Sequence, residues 1–169
     1  MKTQIGILAA AALTAAILSA PLALAANTRA DAFMKKAIAG NLAEIKVGEL
    51  AQQKGASKGV RDFGSVLEQD HSMANDQAMT AASSMGVMPP AQPSRKEQAD
   101  YQRLAALSGS RFDKAFVKAM VKDHKKDIAE YEKEAKAGSG PAASYAQASL
   151  PTLRKHLQLA ESLERRPGG

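Results

Sequence analysis

Cysteine and tryptophan are absent from this sequence, and aromatic residues make up only 4% of it. Without cysteine no disulfide can form, so the fold must rely on its core. With few aromatics, and with Ala, Lys, Glu, Gln and Leu dominant, the composition favours helix over strand. Long apolar runs are missing too, apart from one between Ile5 and Leu18. No nucleophile elbow occurs, and Gly55, Gly59 and Gly64 do not have phosphate-loop spacing. Nothing marks a nucleophile or a substrate cleft, so a redox or other enzyme is the least favoured class.

What is present starts with a positive Lys2, the apolar Ile5–Leu18 run and small residues at Ala23 and Ala25. That is the pattern of a secretory signal peptide over residues 1–25, its run too short for a comfortable membrane span. No cysteine follows it, which excludes a lipoprotein anchor. Residues 26–30 are expected as a linker, 31–165 as one domain and 166–169 as a disordered tail. The expected product is exported and periplasmic, with no transmembrane segment after signal removal and with outer-membrane association left open. A domain of this length can bury a full core. The formal net charge is +6, or +5 once Lys2 is subtracted, which suits an anionic envelope surface or simply solubility.

Apolar spacing at about 100° per residue predicts four long helices. The first runs from Asp31 to Lys54 and stops at Gly55, expected in the left-handed conformation. The second opens on Ser57 as N-cap and runs to Met85 before Gly86. A connector from Gly86 to Ser110 begins extended at Pro89, Pro90 and Pro93. Ser94 and Glu97 then have capping-box spacing for a short helix to Leu107. The third long helix starts after Ser110, with Asp113 three residues on, and ends near Ala137. The fourth begins near Pro141 and continues to Arg165, with Pro151 expected to bend it. The fold class is therefore all-α, a four-helix bundle with a short extra helix between the second and third long ones.

Each long helix carries one out-of-place polar residue on its apolar stripe: Glu44, His71, His124 and His156. A buried carboxylate or imidazole left bare costs several kcal/mol, so such residues are paired, hydrogen-bonded or metal-bound. Glu44 lies eleven residues before Gly55 and His71 sixteen after it. His124 lies fourteen before Gly138 and His156 sixteen after Gly140. At ~1.5 Å rise per residue these offsets leave the four within side-chain reach if the hairpins pack at mid-height. Three imidazoles and a carboxylate suit zinc, iron, manganese or copper. Asp70, Asp123 and Asp127 are candidate extra ligands or acceptors that orient the imidazoles. The alternative is a metal-free module of the cell envelope whose buried Glu/His layer holds helix register.

Other features carry less. Met73, Met79, Met85 and Met88 resemble a copper-binding spacing but point in different directions round their helix. Lys114, Lys118, Lys122, Lys125 and Lys126 make a basic face, yet without interleaved aromatics it reads as solvated, and no nucleic-acid partner is expected. The runs Phe63–His71 and Phe116–His124 share a spacing and end in Asp-His, as halves of a duplicated helix pair would. Oligomeric state is not legible.

The run from Phe33 to Glu44 and the Gly48–Ala51 tetrad resemble the opening of a bacterial family of exported proteins. Gln69–His71, Met120–His124 and Leu150–Leu157 extend the likeness, which covers residues 29 to 164. This is domain-of-unknown-function family 4142, often labelled putative outer-membrane proteins. The resemblance implies a ferritin-like four-helix bundle in the envelope and supplies no biochemical activity. Di-iron bundles use two Glu-x-x-His pairs. Here Glu68 has that spacing to His71 but points off the stripe, while Val121 and Leu153 hold the matching places before His124 and His156. Ferroxidase chemistry is therefore not the expectation; metal handling or envelope stress protection is.

Overall fold

The computed structural model describes residues 20–166, with side chains from Thr28 onward. Most of the expected signal peptide and the end of the expected tail lie outside the described residues. Among the described residues the chain is all-helical: α1 (Ala20–Lys54), α2 (Lys58–Ser84), α3 (Arg95–Ala105), α4 (Gly109–Ala135) and α5 (Pro141–Arg165). The most extensive packing is of α1 on α2 and of α4 on α5, and α2 against α5 joins the two hairpins. No helix among the described residues is long and apolar enough to cross a membrane.

Helix ends follow local chemistry. Ser57 caps α2 by accepting from Val60 N. Gly86, at φ 69°, closes the same helix, with Val87 N donating to Ala82 O at 2.9 Å and Gly86 N to Ser83 O at 3.1 Å. Val87 then buries itself beside Ala82. Ser94 and Glu97 form a reciprocal capping box on α3. Three boundaries differ from the sequence-based expectation. The helix expected from Asp31 begins at Ala20, so residues 26–30 are helical rather than a linker; the segment is rich in alanine, the best helix former, and has no glycine. Gly55 is not left-handed; a Cβ there would lie 2.6 Å from Ala51 O and 2.8 Å from Val60 Cγ1, so close approach requires the glycine. Helix α4 starts at Gly109, before Ser110, and the Asp113 carboxylate does not cap it. Asp113 accepts instead from Ala56 N at 2.9 Å and Ser57 N at 2.8 Å, tying the α1–α2 turn to α4.

Two glycines set the register of the first hairpin. A Cβ on Gly48 would lie 2.6 Å from Gly64 O, and one on Gly64 would lie 2.6 Å from Gly48 O. The two backbones therefore touch at this point. Seven residues away along each antiparallel helix, two turns, stand Asn41 and His71, which are hydrogen-bonded at 3.0 Å. The same register sets Glu44 opposite Glu68, one turn short of His71.

The interior is layered. One apolar cluster gathers Phe33, Met34, Ile38, Ala82, Tyr145 and Leu153 with their neighbours. A second gathers Leu50, Val60, Phe63, Leu67, Phe112 and Phe116 with theirs. Between them in chain position on every long helix come the buried polar residues Asn41, Glu44, His71, His124 and His156. Gly64→Ala must push α2 off α1, because the atom it meets is backbone. It should cost about 1–3 kcal/mol in urea unfolding and, by displacing Asn41 from His71, weaken any ion bound at the histidines.

Candidate metal centre

The three histidines converge. Ring centroids of His71, His124 and His156 are 5.2 to 6.0 Å apart, and one ring nitrogen from each lies within 4.8 Å of the other two. His124 and His156 are 1% and 0% exposed, and His71 is 6% exposed.

The outer nitrogens decide where the protons are. His124 Nδ1 is 3.0 Å from the Met120 carbonyl, an acceptor only, so this nitrogen carries the hydrogen. His156 Nε2 is 2.9 Å from an Asp70 carboxylate oxygen and donates to it. His71 Nδ1 donates to Asn41 Oδ1 at 3.0 Å, an orientation assigned from the network because Asn41 Nδ2 donates to the Tyr145 hydroxyl at 2.9 Å. Tyr145 in turn packs against Tyr131, ring centroids 6.0 Å apart. In the neutral rings the inner nitrogens are then bare lone pairs. His124 Nε2 and His156 Nδ1 face each other at 3.3 Å, and His71 Nε2 has no partner at all. Imidazoles held from behind by a carboxylate, a backbone carbonyl and an amide oxygen, with lone pairs inward, are arranged as metal ligands are.

Glu44 does not join that group: among the described residues, only the three histidines bring donor atoms together this closely. Glu44 is buried and its Oε2 has no partner. It lines, with His71, a cavity of about 780 Å³ that Asp123 and Asp127 also line. Asp70 meets the cluster from outside, through His156. Glu68 accepts from Gln52 Nε2 at 2.5 Å and takes no part. Met73, Met79 and Met88 are exposed, and Met85 packs against the first apolar cluster. Asn41 and Tyr145 were not singled out by sequence. The available signal was an amide at position 41, one turn before Glu44 on the same apolar face.

The sequence matches the model of the family described as Domain of unknown function (DUF4142) over residues 16–163. The chain belongs to this family. No curated protein and no solved structure matches it. Membership in DUF4142 therefore brings no ligand with it, and the chemistry rests on the residues themselves.

Burial keeps those residues neutral. Desolvation, then the neighbouring imidazoles, holds His71 well below the usual histidine range. The same causes push His124 down to about 4 against the hydrogen bond to Met120, which acts the other way. His156 is lowered by burial although Asp70 favours its charged form. Glu44 is raised well above the carboxylate range, first by burial and then by the charges of Asp127, Asp123 and Glu97. At neutral pH the imidazoles need lose no proton to bind a metal.

Two predictions follow from the signs. For the histidines the unfolded chain takes up protons first. The metal-free protein should therefore lose Tm as pH falls from 6.5 towards 4, and His124→Gln should flatten that loss. For Glu44 the folded form holds its proton longer, a contribution complete below 4.5 and lost as pH rises through the folded value. Glu44→Gln should therefore raise the metal-free Tm at pH 7 to 8 and change it little at pH 4.

Proposed function

We propose that this protein is exported to the periplasm as a ferritin-like four-helix bundle. His71, His124 and His156 hold one transition-metal ion in its core, and its role is metal handling or envelope stress protection rather than turnover. The observation that carries this reading is the set of three inward lone pairs, each fixed by an acceptor on the opposite ring nitrogen. With neutral rings no hydrogen lies between His124 Nε2 and His156 Nδ1, so their contact is repulsive until something positive sits among the three. Imidazole nitrogens suit zinc, copper and iron, with manganese the poorest fit of the metals expected from sequence. Glu44 serves the cavity beside the ion rather than the three-nitrogen set.

A metal-free reading has one observation in its favour. A second proton on His156, balanced by the Asp70 carboxylate, would let Nδ1 donate to His124 and close a hydrogen-bond network. The protein would then be a structural or interaction module of the envelope. That reading requires a charge on a ring that burial disfavours, and it still leaves His71 Nε2 unpartnered.

Untagged protein purified from the periplasm should carry close to one equivalent of metal by elemental analysis, and His124→Ala should abolish it. Zinc added to metal-free protein at about 100 times its dissociation constant should raise stability by roughly 2.7 kcal/mol. Asp70→Asn, which weakens the acceptor behind His156, should lower zinc affinity about 10–100-fold. Metal-free wild type whose Tm is unmoved by zinc, copper or iron would leave the hydrogen-bonded module as the answer.

A further inference from the structure

The cavity that reaches His71 has a chemistry of its own. Glu44 enters it from α1, and Asp123 and Asp127 enter it from α4. Glu44 is only 9% exposed, and its Oε2 is buried without a hydrogen-bond partner. His71 lines the same space, while its Nε2 belongs to the three-histidine centre. The orphaned Glu44 oxygen costs the desolvation of a polar group with nothing in return. Lys35, Lys36, Lys96 and Lys126 also line it. Lys36, however, pairs with Glu130 and Lys96 with Asp100. Lys126, 3.4 Å from Asp127 and 3.6 Å from Glu130, divides its charge.

We propose that this cavity is a second cation site, separate from the three-histidine centre, where Glu44, Asp123 and Asp127 hold a hydrated divalent cation of the hard class, Mn2+ or Mg2+. Hard cations take oxygen donors and keep several of their waters, often being held by only one or two carboxylates. Such an ion can therefore reach some of the carboxylates through its waters rather than bind all three directly. A cavity of about 780 Å³ has room for such an ion with its water shell, each water occupying about 30 Å³. The ion offsets both the burial of Glu44 and the neighbouring charges of Asp127 and Asp123, which together favour its protonated form. The molecule thereby sorts metals by donor chemistry: nitrogen for the softer ion in the core, oxygen for the harder one beside it.

The test is Mn2+ titration of the full-length exported protein, followed by loss of the free-ion signal in electron paramagnetic resonance, after one equivalent of zinc has been added. Wild type should take up one Mn2+ per chain. Glu44→Gln and, independently, Asp127→Asn should each weaken that uptake about tenfold or more while zinc content stays at one. His124→Ala should lose the zinc and keep a Mn2+ site that still depends on Glu44. Zinc-loaded wild type that takes up no Mn2+, or Glu44→Gln that binds it as wild type does, overturns the proposal. So does loss of zinc in Glu44→Gln as complete as in His124→Ala, since Glu44 would then belong to the histidine centre. Failure of the metal reading for the histidines shows separately, as zinc bound by neither wild type nor His124→Ala, with Glu44-dependent Mn2+ uptake still readable.

Discussion

Three hydrogen bonds on the outer edges of three imidazoles govern the centre of this molecule. Met120 O, Asp70 and Asn41 Oδ1 each take the proton of one ring nitrogen and so turn the other nitrogen inward as a lone pair. An isolated buried imidazole can choose either tautomer; these three cannot. The choice is enforced from three helices, α4 through its own backbone, α2 through Asp70 and α1 through Asn41, with Tyr145 of α5 steadying the amide. The convergence of bare nitrogens is therefore a property of the packed bundle and cannot exist in any single helix.

The packing that permits it depends on backbone contact. Gly48 and Gly64 let α1 and α2 approach until a methyl group would collide with a carbonyl oxygen. That contact fixes which residues face each other two turns away. Beyond that contact, at the C-terminal end of α1, the chain is secured electrostatically. Lys54 donates to the carbonyls of Ala105 and Leu107 at the end of α3, and Asp113 of α4 accepts from two amides of the α1–α2 turn. Register in the polar layer is thus held from its turn side, by close approach near it and by a clasp beyond.

Much of this was legible in the sequence, for reasons that can be named. Helix α5 from Pro141 to Arg165 follows from a first-turn proline and a continuous apolar stripe, and α3 follows from Ser94 and Glu97. That His124 and His156 touch could be reckoned from their nearly equal distances to the α4–α5 turn. The same reckoning put Glu44 level with His71, and there it misled. Offsets of eleven and sixteen residues differ by about 7.5 Å of rise, and close glycine contact resolved the mismatch in favour of Asn41. Propensity cannot register a backbone contact between distant positions, and an amide inside a helix is too common a feature to stand out. The start of α4 was missed for a related reason: Asp113 resembled a capping-region acid, but its carboxylate found donors from a turn more than fifty residues earlier in the chain.

The two apolar clusters have a consequence for how the chain reaches its native state. Each draws side chains from α1, α2, α4 and α5, and neither is owned by one hairpin. A nascent N-terminal half therefore has no finished interior to collapse onto. It gains one only when the last helix arrives, so cooperative folding must wait for the C-terminal segment. Until then the unassembled halves keep their apolar faces open to whatever binds unfolded chains.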